Sequence, residues 1–399
     1  METKKLLGRL LHGFDFFNAD YHLGRGYSLP PKSVCLILSR ACNLKCRMCD
    51  IGRANAGEAS PEESPLLQTI HSGPDAMQSA DWISLIDQLA EFVPKPLVLL
   101  TGAEPLLSPH LHRVTEHIFS RGLRLHITTN GTLLADCAEN LIAVCPQPQA
   151  LDITVSLDAL DELHDRIRGV EGTFKRALEG IQAIAGACAR KSWHRPPINI
   201  TCTISDLNLD HLTTFLQELI ARRLPIRSLT FNHLWFRDST ITARHNQRYC
   251  ETLPIAEENI QGVDITAIDP DILTNTIRAI KKRGSTAPFP VFFEPELSDA
   301  ELRMYYSKPA HFVGYNKCTA AWRNIAITPS GSVILSPLCF LPPLDSIKGR
   351  DFREVWNAQP ARSLRKRIVK AGIYPACARC CMLFGSRPKY HKLKNLFRY

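Results

Sequence analysis

The stretch SRACNLKCRMCDIG (residues 39–52) directly follows the apolar run VCLILS (34–39) and carries Cys42, Cys46 and Cys49 at C-x3-C-x2-C spacing. No histidine lies within the stretch to complete a set of four ligands. Three thiolates can hold a zinc ion with an open position, or a [4Fe–4S] cluster with one unligated iron. The placement narrows the meaning, because loops after strands form the active-site face of a parallel α/β barrel.

Working outward, short apolar runs alternate with helical spacing. Candidate strands lie at 34–39, 96–100, 124–128, 151–156, 198–204 and 227–232, with helical patterns at 80–92, 108–121, 173–187 and 209–222 between them. Such alternation predicts a parallel sheet with right-handed crossovers. Six units make a partial (β/α)6 barrel over 34–237, after an N-terminal extension (1–33). Residues 53–79, rich in Ala, Gly, Ser, Glu and Pro, read as a loop or lid. The alternation is expected to stop near 238, giving a bridging segment (238–310) with one helix at 269–283. A small cysteine-bearing domain (311–385) and a basic tail (386–399) follow.

The residues after successive strands carry a resemblance. TGAEP (101–105), TTNGT (128–132), SLDA (156–159) and RIRG (166–169) stand in order behind the cysteine loop. Residues 34–235 thereby resemble the radical SAM superfamily, with Ala103 in place of a usual glycine and Met48 in place of an aromatic residue. The resemblance implies that Cys42, Cys46 and Cys49 ligate a [4Fe–4S] cluster whose open iron binds S-adenosylmethionine. It further implies that Glu104 receives the methionine amino group, Asn130 the ribose or methionyl part, Ser156 and Asp158 the ribose hydroxyls, and Arg168 the methionine carboxylate. The implied activity is reductive cleavage of the cofactor to a 5′-deoxyadenosyl radical that abstracts hydrogen, fed by a donor such as flavodoxin or ferredoxin.

A second group, Cys318, Cys339, Cys377 and Cys380, offers four thiolates, enough to close a zinc site or a fully ligated cluster. The segment 318–339, with a hairpin turn at Pro329-Ser330-Gly331, together with FREVWN (352–357) and CARC (377–380), resembles a twitch or SPASM domain. Four aligned cysteines favour the shorter twitch form with one auxiliary [4Fe–4S] cluster, and Cys381 could replace Cys380 as a ligand. In NHLWFRD (232–238), His233, Trp235 and Arg237 would share one face if the strand continued. They are the catalytic or substrate-binding candidates, with packing against the C-terminal domain as the alternative.

Hydrophobic content of 45% and charged content of 22% exclude a disordered chain. Fourteen cysteines without a signal-peptide pattern point to a reducing compartment, hence a cytoplasmic location. The net charge is +9, and from Val355 to Tyr399 there are eleven Lys or Arg and no Asp or Glu. With the amphipathic stretch KKLLGRLLHGFDFF (4–17), this basic end allows peripheral contact with the inner membrane face. Nucleic acid is not expected, since charge alone is not specificity. A small molecule or lipid is favoured as substrate. A ribosomal-peptide maturase is the alternative, because residues 1–33 are short for a peptide-recognition domain. The readings from other classes are a zinc-dependent hydrolase and a non-enzymatic iron–sulfur or zinc-binding protein.

Overall fold

A computed structural model describes residues 19–59, 67–68, 70, 77–257, 262–313, 317–336 and 339–384. The N-terminal stretch 4–17 and the tail 386–399 lie outside the described residues. Strands β1 (Ser33–Leu36), β2 (Leu97–Leu100), β3 (Arg124–Thr129), β4 (Leu151–Ser156), β5 (Ile198–Ile204) and β6 (Ser228–His233) pair in parallel in that order. All six sequence-predicted strands are therefore present.

After a short helix at Ala19–Leu23, the helices between the strands are α1 (Asp50–Asn55), α2 (Ser79–Ala90), α3 (Leu111–Ser120), α4 (Leu134–Val144), α5 (Asp161–Arg168), α6 (Thr173–Arg190) and α7 (Leu212–Ala221). Helices α4 and α5 fall where the sequence reading assigned nothing. Strand β5 shows why the sheet is one-sided. Ile198, Ile200, Cys202 and Ile204 are buried in the main apolar core with residues of the helices, while Asn199, Thr201 and Thr203 are half-buried. Period-2 alternation places that polar row on the opposite face, away from the helices.

After 238 the helix expected at 269–283 is present, but the strand–helix alternation does not stop there. Helix α8 (Ser239–Tyr249) starts on Asp238, whose carboxylate accepts the Ile241 amide. Helix α9 (Pro270–Gly284) then crosses to a seventh strand, β7 (Val291–Glu294), which pairs in parallel with β6. Strand β7 is brief, with Phe292 half exposed, so it lacked the buried apolar run that marked the others. Helix α10 (Asp299–Ser307) follows, opened by a Ser298–Glu301 capping box.

The C-terminal part joins the same sheet. Strands β8 (Asn324–Ile327) and β9 (Ser332–Ile334) form the expected hairpin, and Gly331 takes the left-handed φ of +84° that the turn requires. Strand β8 lies parallel to β1, from Ser33 against Asn324 to Leu36 against Ile327, and β10 (Asp345–Ser346) pairs with β9. The described strands thus form one ten-stranded sheet. Helices α11 (Phe352–Trp356) and α12 (Gln359–Ala371) close this end. Buried Arg365 fastens α12 by donating to the carbonyls of Ala321, Gly26 and Trp356. Among the described residues no helix is long and apolar enough to cross a membrane.

Candidate functional site

The three-cysteine loop leaves the C-terminal end of β1 and is held from several sides. Lys45 and Arg47 amides donate to the carbonyls of Arg168 (3.0 Å) and Ile167 (3.1 Å), docking the loop on the end of α5. The Asn55 side chain donates to the carbonyls of Cys42 (2.8 Å) and Leu44 (2.9 Å). The glycine of RIRG now has a reason: Gly169 has φ +71°, and a Cβ there would lie 2.4 Å from the Lys45 carbonyl oxygen. Gly52 is tighter still, since its Cβ would sit 2.3 Å from the Cys46 amide nitrogen.

Burial dominates the thiol chemistry. It pushes Cys42 up to about 11 and Cys49 up to about 12, and it raises Cys46 as well. The thiols also raise one another, Cys46 acting on Cys42 and both acting on Cys49, so the three share one electrostatic environment. Cys42 and Cys49 pack against a small apolar cluster that includes Cys35, Ile37, Ile51, Ala326 and Ile334. Any metal or cluster bound here must displace thiol protons.

The loops after β2, β3 and β4 converge on the same place. The Glu104 amide donates to the Ala41 carbonyl (3.0 Å), tying TGAEP to the cysteine loop. Its buried carboxylate accepts from the Leu106 amide (3.0 Å) and Thr129 Oγ1 (2.8 Å) on Oε1, and from the Asn130 amide (2.9 Å) on Oε2. Burial raises the carboxyl above its ordinary value, against those donors. Asn130 Nδ2 donates to Asn43 Oδ1 (2.9 Å), and its Oδ1 accepts from Thr132, so it braces the cysteine loop. Ser156 ends β4, half-buried on its polar face.

Asp158 and Arg168 meet each other. Arg168 Nη2 lies 2.7 Å from Asp158 Oδ2, an ion pair not aligned as a hydrogen bond, and Nη1 reaches Cys46 Sγ at 3.8 Å. Burial lowers the Arg168 guanidinium, but Asp158 and Cys46 outweigh it and hold the group above its usual value. Asp158 Oδ1 accepts from the Thr203 amide (2.9 Å). Arg168 Nε is buried without a hydrogen-bond partner.

The second cysteine group is also assembled. Cys318, Cys339, Cys377 and Cys380 line one apolar cavity with Trp235, Arg237 and Phe340. Burial raises Cys318 to about 11 and Cys339 to about 12, and it also raises Cys377 well above its ordinary value, with Cys380 and Cys318 adding to it. Cys380 is lowered because the adjacent Cys381 thiol hydrogen-bonds to it, which raises Cys381 in turn. Arg379, between the two cysteines of CARC, is fully buried and donates to five carbonyls, those of Met304, Tyr305, Lys308, His311 and Ala378.

Residues 36–212 match the family model "Radical SAM superfamily", and residues 318–381 match "Iron-sulfur cluster-binding domain" of the SPASM type. The chain belongs to the radical SAM superfamily and carries a SPASM domain. Curated relatives include an AdoMet-dependent heme synthase of Methanosarcina barkeri, 30% identical over 46% of this chain and 45% of the relative. An Fe-coproporphyrin III synthase of the same organism is 29% identical over 57% of this chain and 49% of its own length. The chain thus spans about half the length of these curated relatives. Among solved structures, SuiB of Streptococcus suis bound to precursor peptide SuiA superposes with a TM-score of 0.57 at 15% identity, over 86% of this chain and 69% of that one.

The radical SAM domain implies a [4Fe–4S] cluster and S-adenosylmethionine, and the SPASM domain implies auxiliary iron–sulfur binding. The residues fit. The triad is an all-sulfur donor set against apolar walls, Glu104 Oε2 has acceptor capacity left, and Arg168 Nε is an unused buried donor. Sequence reasoning missed Asn43, Thr129 and Thr132, which brace the loops. The order N-x-K-C ahead of TTNGT could have suggested an amide pair, but only the fold brings residues 43 and 130 together.

The alternation of His233, Trp235 and Arg237 does not persist, because β6 ends at His233. Trp235 and Arg237 reach the SPASM cavity, their groups 6.0 Å apart. His233 instead shares a hydrogen bond with Tyr306 (2.9 Å). Burial, then Lys281, lowers its pKa to about 3, so the imidazole is neutral at physiological pH.

Proposed function

We propose that this chain cleaves S-adenosylmethionine reductively and directs the resulting 5′-deoxyadenosyl radical to abstract hydrogen from an organic substrate. Cys42, Cys46 and Cys49 would hold a cluster that, when bound, would supply the electron for cleaving the sulfonium C5′–S bond to methionine and the radical. The convergence of Cys42, Cys46 and Cys49 with Glu104 and Arg168 at the C-terminal ends of the strands carries this reading. Glu104 Oε2 is suited to accept from the methionine ammonium, a charge-assisted contact. Arg168, between Asp158 and Cys46, presents its unused Nε as a donor for the methionine carboxylate. Ser156 and the polar row of β5 offer hydroxyls and amides to the ribose, while Asn130 and Asp158 act mainly by holding Asn43 and Arg168 in place. The apolar packing around Cys42 and Cys49 excludes water from the reducing centre.

A small molecule is the first substrate class, and the names of the two curated relatives put tetrapyrrole carboxylates at its head. A peptide is the second, favoured by the fold shared with the SuiB complex over 86% of this chain. Cys318, Cys339, Cys377 and Cys380 would hold one auxiliary cluster that moves electrons, since four protein ligands leave no open iron.

The test is anaerobic reconstitution with iron counting, then reductant and S-adenosylmethionine, assayed for 5′-deoxyadenosine. About eight irons per chain and cleavage that Cys46→Ala abolishes support both clusters. Stoichiometric zinc in place of triad iron, or cleavage unchanged in Cys46→Ala, would refute the reading. Stimulation by an iron porphyrin carboxylate but not by peptides would favour the first substrate class.

A further inference from the structure

Arg237 belongs to neither cysteine group, yet it lies against the C-terminal one. It is 2% exposed, just past β6, and lines the cavity formed with Cys318, Cys339, Cys377 and Cys380. Trp235 and Phe340 flank its guanidinium at 6.0 and 5.9 Å from their ring centres, so two aromatic faces replace water around the charge. Its strongest electrostatic partners are Cys339, Cys380 and Cys377, followed by Asp50, the residue after Cys49. Burial lowers its pKa, and those neighbours oppose the shift. A charge fixed in so dry a place acts with little screening.

We propose that Arg237 is a positioning residue that sets the reduction potential of the auxiliary cluster, rather than a contact for substrate. The reasoning rests on the reading above, in which the four SPASM cysteines hold an iron–sulfur cluster. Reduction adds one negative charge to that cluster, and the neighbouring guanidinium stabilises the added charge. Arg237 therefore raises the potential. The Asp50 carboxylate, 3.8 Å from Arg53, opposes it. The step is a one-electron reduction whose electron comes from the enzyme's own reductant.

The experiment is an EPR-monitored redox titration of the reconstituted protein, with iron counted in every variant. Arg237→Gln should disfavour the reduced auxiliary cluster about tenfold, a negative shift of about 59 mV for one electron. Arg237→Lys, which keeps the charge, should recover most of it. An auxiliary signal in the parent protein whose potential is unchanged in Arg237→Gln overturns the proposal while leaving the auxiliary cluster intact. A parent protein with no auxiliary irons instead overturns the underlying reading. If Arg237→Gln does not retain those irons, Asp50→Asn decides: removing the opposing carboxylate must shift the auxiliary potential upward, and no shift overturns the proposal.

Discussion

The buried pair Asp158–Arg168 gives a sharp energetic test. Asp158 is 1% exposed at its side chain and Arg168 13%, with 2.7 Å between their atoms. Removing one partner of such a pair strands the other charge, at a cost of about 3–5 kcal/mol. Asp158→Asn retains an oxygen for the Thr203 amide, so it isolates the loss of charge. Arg168→Met conversely leaves the carboxylate buried without its cation. Each single variant should lose about 3 kcal/mol in urea unfolding of the reduced apoprotein. The double variant strands neither charge and should lose much less than the sum, giving a coupling of about 2 kcal/mol or more. Both Arg168 variants should also weaken S-adenosylmethionine binding to the reconstituted protein, measured by equilibrium dialysis. Single effects that add to within about 0.5 kcal/mol would refute the pairing.

Gly52→Ala should drive a methyl group into the Cys46 backbone and remove triad iron while sparing SPASM iron, so the count should fall from about eight to about four. Equal iron in the variant would contradict the close approach. Arg379→Met leaves the carbonyls of Met304, Tyr305 and Lys308 at the end of α10 without their donor. It should cost about 3 kcal/mol and lower auxiliary iron, read by chemical denaturation and EPR. His233 binds its proton only near pH 3 when folded but near pH 6.5 when unfolded. Its contribution is therefore fully present above pH 6.5 and is lost as pH falls from about 6.5 toward 3, at up to about 1.4 kcal/mol per pH unit. His233→Gln should flatten urea stability between pH 6.5 and 5, and an imidazole that titrates near pH 6 by NMR would disprove its burial.

Much of this was legible in the chain because the strands announce themselves. INITCTI and LDITVS alternate apolar and polar residues over full strand lengths. The C-x3-C-x2-C spacing marked the first cysteine loop because its thiols are local, whereas CARC marks only half of the second group and the fold brings Cys318 and Cys339 to it. Strand β7 escaped because four residues, one of them the exposed Phe292, carry too little pattern. The Asn43–Asn130 brace and the Asp158–Arg168 pair escaped for a different reason. Asn130, Asp158 and Arg168 each carried an implied role as a ligand contact and Asn43 carried none, so only the folded loops show these side chains meeting one another.

The parallel seam between β1 and β8 has a consequence for how such proteins can be rearranged. An appended module on a flexible tether could be exchanged freely, and the tether would absorb any mismatch. Here the hairpin that leads to Cys339 is the continuation of the sheet that leads to Cys42, one strand removed. Adjacent strands stand about 4.8 Å apart, so the spacing of the two cysteine groups is built in strand widths. Transplanting a foreign auxiliary module onto this barrel would require its first strand to match the register of Ser33–Leu36. A one-residue slip there would turn Ile325 and Ile327 out of the main core and move Cys339 relative to Cys42.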